Sequence, residues 1–217
     1  MANVTRTAGI SSKASEFSTS GDLSLLERPC IGVCGSRKAS ETALEISRLL
    51  AESATKAGFV VASGYAGGVD QQAHLGALRS GGATIAVLAE GIDRFSLRQI
   101  LREHATPSNL LIVSQFADDA KWTVWRAMER NKTIVALSSA MFVVEAGDTG
   151  GTLDAGKETL RQGKPLFVLD YKNERATTKG NRLLLGQGAR RVSSRREMRD
   201  ALSQLQEGSL MGAGRLL

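Results

Sequence analysis

The stretch from Glu129 to Leu169, ERNKTIVALSSAMFVVEAGDTGGTLDAGKETLRQGKPLFVL, constrains the fold most. It spells helix, strand, glycine turn, helix and strand in close succession. Arg130, Asn131 and Lys132 lead into a helix with apolar positions at Ile134, Val135 and Leu137, and Ser138-Ser139 end it. Met141–Glu145 is a short apolar run of the buried-strand kind. Gly147–Thr152 then makes a turn that opens a new helix, and Pro165–Leu169 is the next strand. Glycines at the carboxyl end of a strand let backbone N–H groups approach an anion, and the helix that follows adds the positive end of its dipole.

Upstream, the same unit repeats. Cys30–Cys34 is a strand ending in Gly35-Ser36-Arg37, followed by a helix from Glu41 to Lys56. Phe59–Ala62 is a second strand, followed by the glycine-rich segment Ser63–Asp70 and a helix to Arg79. Thr84–Leu88 and Leu110–Val113 are further strands, with Gly91 after the first and a short helix at Arg98–Glu103 between them. Short apolar strands alternating with helices, joined by crossovers long enough to be right-handed, predict an α/β fold: a single-domain, doubly wound, mostly parallel sheet of extended Rossmann-like type. Ligands bind such sheets beyond the strand carboxyl ends at the topological switch point, where several of these turns would gather. No GxGxxG with a ribose-binding acid and no GxxxxGK[ST] is present, so neither dinucleotide nor P-loop chemistry is indicated and no cofactor is expected.

Composition narrows the partners. The chain has 217 residues and a formal charge of +6. Between Lys172 and Arg199 lie nine basic residues, Arg175 among them, against Glu174 and Glu197 alone. Such a stripe suits nucleic acid, with a solvated helix face as the bland alternative. Cys30 and Cys34 sit four apart on a strand and face one side, and with two histidines in the chain they read as buried small hydrophobes, not metal ligands. No apolar run reaches the ~18–20 residues that span a bilayer, and no signal-peptide core opens the chain, so a cytoplasmic protein with no membrane partner is expected. Residues 1–28 read as a flexible arm with a short helical turn at Leu23–Leu26, 29–206 as the sheet domain, and 207–217 as a frayed tail. Ser194 and Glu197 fit a capping box for the last helix.

Several ordered motifs resemble the DNA-processing protein A (DprA, or Smf) family: G-S-R at 35–37, S-G-Y-A-G-G-V-D-Q-Q-A-H at 63–74, G-G-A-T-I-A-V-L-A-E-G-I-D at 81–93, R-N-K-T-I at 130–134, V-V-E-A at 143–146 and G-N-R-L-L-L-G-Q-G-A at 180–189. The resemblance spans about residues 30–192. It implies a Rossmann-like domain that binds single-stranded DNA without catalysis, forms a homodimer, and hands the strand to a RecA-type recombinase in natural transformation. By resemblance, Gly35, Ser36 and Arg37 meet a phosphate, and Ser63, Gly64, Gly67, Gly68, Gly91 and Arg98 shape the pocket. Arg130, Asn131, Lys132, Gly150, Gly151 and Thr152 complete it. The sequence departs from the family pattern at Gly67, where Arg is frequent, at Gln115, where Glu is frequent, and at Ala127-Met128, where the family has F-P.

The alternative is a nucleotide sensor or an enzyme similar to the lonely-guy phosphoribohydrolases, whose P-G-G-x-G-T-x-x-E motif Gly150-Gly151-Thr152 partly resembles. Ala155 stands where that motif has its carboxylate, so the group that would stabilise a ribosyl cation or move a proton is missing. Among single residues, His74 reads as packed, Asp70 as a helix-start carboxylate, Glu145 as an orienting group, and Trp122 and Trp125 as either base-stacking or packing residues.

Overall fold

The computed structural model describes residues 5–7, 17–172 and 176–213. Two short strands, β1 (Thr5–Thr7) and β2 (Phe17–Gly21), precede the first predicted strand, β3 (Cys30–Cys34). Then come α1 (Glu41–Lys56), β4 (Val60–Ser63), α2 (Val69–Arg79), β5 (Thr84–Val87), α3 (Gln99–Arg102) and β6 (Leu110–Ser114). The second half supplies α4 (Val124–Leu137), β7 (Ala140–Val143), α5 (Gly151–Arg161), β8 (Leu166–Leu169), α6 (Lys179–Gly186), β9 (Arg190–Val192) and α7 (Arg195–Ala213).

Among the described residues, nine strands form one sheet in the order β1-β2-β6-β5-β4-β3-β7-β8-β9. The seven strands from β3 to β9 run parallel, and β1 and β2 are antiparallel additions at the β6 edge. From β3 the chain winds outward through β4, β5 and β6, then returns to place β7 on the other side of β3. The switch point is therefore the crevice between the carboxyl ends of β3 and β7.

Period-two alternation builds the two cores. On β3, Cys30 and Cys34 face the layer of α4, α5 and α6, against Ile134, Leu153 and Leu184. Ile31 and Val33 face the opposite layer, against Leu50 of α1, Ala73 of α2 and Met198 of α7. Both thiols are free and buried, and burial pushes that of Cys30 up to about 12, so neither is a nucleophile at neutral pH.

Two expectations are corrected. The sequence predicts a flexible arm through residue 28, yet Phe17–Gly21 pairs with β6, with Ser18 opposite Ser114 and Thr19 opposite Val113. Ser18 and Thr19 are buried there, and the Ser18 hydroxyl donates to Asp118, so side-chain hydrogen bonding replaces the apolar pattern that would have revealed a strand. The turn at Leu23–Leu26 is present as a 3-10 helix. The sequence predicts a frayed tail from 207, but α7 continues to Ala213; residues 1–4, 8–16 and 214–217 lie outside the described residues, as do Glu174 and Arg175. The capping box forms in a shifted version: the Glu197 amide donates to the Ser194 hydroxyl, and its carboxylate accepts from the Ser193 amide.

Candidate functional site

Two adjoining cavities open at the switch point, of about 470 and 220 Å³. The larger is lined by Cys34–Lys38 after β3, by the face of α4 that carries Ala127, Arg130 and Asn131, and by Gly150–Thr152 at the start of α5. The smaller is lined by Gly64–Gly67 after β4, Leu88–Glu90 after β5, and Arg98. Arg37 and Arg130 line both.

The Gly35–Lys38 loop is held rigidly. The Ser36 amide donates to the Glu145 carbonyl, the Val69 amide donates to the Ser36 carbonyl, and the Lys38 amide donates to the Ser36 hydroxyl. The amides of residues 36 and 38 are thus spent within the protein, and what the loop offers an anion is the exposed side chains of Arg37 and Lys38. Gly68 must be glycine for this approach: its φ is +71°, and a Cβ there would stand 2.3 Å from the Ser36 carbonyl oxygen. Glu145 is fully buried; one carboxylate oxygen accepts from the Ser40 hydroxyl and amide at the start of α1, and the group lines neither cavity.

Beneath Arg37 lies a buried pair. Arg130, 5% exposed, donates to the Val87 carbonyl and sits 3.9 Å from Asp70, also 5% exposed. Burial pushes the Asp70 carboxyl up from the ordinary carboxylate range, with the Arg130 guanidinium opposing that shift. Burial also weakens the hold of Arg130 on its proton, yet a guanidinium stays charged in any protein interior. Gly64 exists to admit it: a Cβ there would fall 1.5 Å from the Arg130 Nη1. Arg98 locks the neighbouring loop, donating to the Tyr65 carbonyl and to Gln71 while its guanidinium lies 4.9 Å from the Tyr65 ring centroid.

Of the residues singled out in the sequence, Gly35, Ser36, Arg37, Gly64, Gly67, Arg98, Arg130, Asn131, Gly150, Gly151 and Thr152 line one cavity or both. Asn131 donates to the Gly151 carbonyl and so ties α4 to the start of α5, whose N-cap, Gly150, supplies no side-chain cap. Four residues stand apart from the cavity walls. Ser63 is buried, donating to Val33; Gly68 supports the loop from behind; Gly91 packs on the Asp118 carbonyl; and Lys132 pairs with Glu129 at the surface. Arg130–Lys132 also lie in mid-helix, because α4 begins at Val124 with Thr123 as its N-cap. Sequence reasoning had no position for Trp122, whose ring lies 4.9 Å from the Arg37 guanidinium carbon and lines both cavities, nor for Lys38 as a wall residue. Part of the basic stripe is answered locally: Arg191 pairs with Asp170, Arg195 with Glu45 and Arg196 with Asp200, exposed contacts worth about 0–1 kcal/mol each.

Among the described residues no group of three or more His, Cys, Asp or Glu could hold a metal ion, and no helix is long and apolar enough to cross a membrane. Ala155, where a phosphoribohydrolase would carry its carboxylate, is buried in α5 and lines neither cavity.

Comparison with known proteins agrees with this architecture. Protein Smf of Escherichia coli is 32% identical over 190 residues, covering 87% of this chain and 50% of that protein. The DNA processing protein DprA of Bacillus subtilis is 27% identical over 187 residues, covering 85% and 63%. The chain thus spans between half and two thirds of the length of these relatives. DNA processing protein A of Helicobacter pylori, solved in a study of its single-stranded DNA binding mode, superposes with a TM-score of 0.81 over 94% of this chain and 96% of that one; at 23% identity this establishes a shared fold. The family model for DNA recombination-mediator protein A matches residues 6–203. That match runs from the first strand of the sheet into its last helix, and the chain belongs to the DNA recombination-mediator protein A family.

Proposed function

We propose that this chain binds single-stranded DNA at the switch-point cavities, gripping strand phosphates without catalysing a reaction. The observation that carries the reading is the placement of Arg37 and Lys38 over the crevice between β3 and β7, with the buried Arg130 guanidinium beneath them. Arg37 and Lys38 are exposed, and among the described residues Arg37 forms no ion pair. Fixed guanidinium charges beside an uncapped helix start suit successive phosphates on a flexible strand. Family membership and the DNA binding described for the H. pylori protein support the same substrate. Against an enzyme stands the cavity chemistry: of its wall carboxylates, Asp70 is engaged by Arg130 and Glu90 serves the smaller cavity, so no paired acid and base face each other. Phosphate contacts are assigned to Arg37, Lys38, Arg98 and the Gly150–Thr152 turn, with the buried Arg130 adding its charge from beneath and Ser63, Gly68 and Gly91 acting as supports behind the walls.

Homodimerisation, delivery of the strand to a RecA-type recombinase, a place in DNA uptake and a cytoplasmic location belong to the same proposal, carried by family membership. The test is competition: a labelled single strand bound to the protein is challenged with unlabelled single strand, duplex and nucleoside monophosphates. The proposal expects single strand to displace the probe at far lower concentration than duplex, and monophosphates to fail. Displacement by a monophosphate at micromolar concentration would instead favour a nucleotide sensor.

A further inference from the structure

The two cavities share four wall residues, Arg37, Ala66, Trp122 and Arg130, and two of these are in contact. Arg37 and Trp122 line both, and the guanidinium of the first lies against the ring of the second. Trp122 remains 44% exposed, although a large aromatic group at the surface of a folded chain gains nothing by exposure. The larger cavity is also chemically two-sided. Ser36–Lys38 and Gly150–Thr152 form a polar, cationic wall, while Val124, Met128 and Ile134 join Trp122 in an apolar one. A bare phosphate has no use for the apolar wall; a nucleobase does. Val124 and Met128 lie one helical turn apart on the exposed start of α4, so the apolar wall continues to the rim. Trp125 is more exposed still, at 64%, but it lies beside Phe116, with ring centroids 6.3 Å apart, and lines neither cavity.

We infer that Trp122 is a base-stacking platform, and that the Arg37–Trp122 pair parts two successive nucleotides of a bound single strand, one base entering each cavity and the phosphate between them meeting Arg37. This rests on the single-strand reading above. Stacking suits every base because each has a π-face, so the platform adds affinity without sequence choice. The contact between guanidinium and ring also fixes Arg37 before the strand arrives, so less side-chain freedom is lost on binding. A duplex keeps its bases stacked on one another and cannot offer them to Trp122. The platform therefore adds a preference for single strands that phosphate contacts alone do not supply.

The experiment uses the full chain, a labelled oligothymidylate, and an abasic oligomer of equal length with the same sugar-phosphate backbone. Trp122→Ala is expected to weaken oligothymidylate binding roughly 5- to 150-fold, the range for losing one stacked base. Abasic binding should change less than about threefold, and the salt slope should stay as in the wild type. Trp122→Phe should recover most of the loss, and Trp125→Ala should bind as the wild type does. Equal weakening toward both oligomers would reassign Trp122 to holding Arg37 and overturn the platform, as would no weakening at all. If wild-type protein binds the abasic oligomer and Trp122→Ala matches it on both, only the platform falls. If the wild type binds neither strand, the single-strand reading falls with it.

Discussion

Replacing His74 with glutamine should flatten the acid limb of the stability curve. His74 is fully buried in α2, with Nδ1 2.7 Å from the Thr84 hydroxyl. That hydroxyl donates to the Val61 carbonyl, so it accepts from His74, and the network assigns the proton to Nδ1. Nε2 is buried without a partner, and the ring lies in the field of Arg98 and Arg130. Burial first, and those two guanidinium charges next, push the imidazole down to about 3 from its ordinary 6.5. The folded state thus holds the proton less tightly than the unfolded chain, so the contribution is intact above pH 6.5 and is lost as pH falls toward 3. At pH 5 the unfolded imidazole is about 97% protonated and the folded one about 1%, a loss of about 2 kcal/mol relative to pH 8. Urea unfolding at both pH values, compared with His74→Gln, isolates this from the carboxylates that titrate in each protein. The variant should lose about 2 kcal/mol less than the wild type between pH 8 and pH 5, whatever its absolute stability. The ring proton of His74, distinguishable from His104 by the same variant, should not titrate by NMR above pH 4. A wild-type imidazole titrating near 6 would refute the reasoning.

Other positions give independent outcomes. Gly64→Ala should displace the Arg130 guanidinium and break its contacts with Val87 and Asp70, costing about 3–5 kcal/mol in urea unfolding, whereas Gly67→Ala, with nothing within 4 Å of the added methyl, should stay within about 0.5 kcal/mol. Asn181→Leu should cost about 2–5 kcal/mol with an unchanged denaturant slope. The Asn181 amide accepts from Ala146 and donates to Val144 and Leu169, tying the ends of β7 and β8 to α6.

What the sequence discloses depends on how local the cause is. The helix at 41–56 is bounded correctly because its signals are adjacent: Ser40 accepts from the Ala43 amide at one end, and Gly58 follows the other. The parallel strands are legible because burial on both faces makes each an unbroken apolar run. β2 is not, since F-S-T-S-G is stabilised through Asp118, about a hundred residues away. The same distance effect governs the site. Arg37 stands where a strand-end glycine turn put it, whereas Arg130 reaches the pocket in the sequence by resemblance alone, and only the fold shows it buried against Asp70, sixty residues earlier. The K-W-T-V-W segment carries no apolar period, so the sequence does not disclose that α4 begins at Val124 or that Trp122 lies beside Arg37. Lys179-Gly180-Asn181 reads as a turn from its residues, yet it opens α6, and the fold supplies the cause: a Cβ on Gly180 would stand 2.1 Å from the Gly147 carbonyl oxygen, and Asn181 joins three strand-end groups.

The central claim is that the crevice between β3 and β7 holds strand phosphates, and the salt dependence of single-strand binding tests it most directly. Fluorescence anisotropy of a labelled oligonucleotide, titrated with wild type and with Arg37→Ala across a salt series, should give a linear fall of log K with log salt for both. The variant should bind more weakly, with a slope shallower by about 0.7 for each phosphate contact removed. An unchanged slope and affinity in Arg37→Ala, or no single-strand binding by the wild type at low salt, would contradict the account.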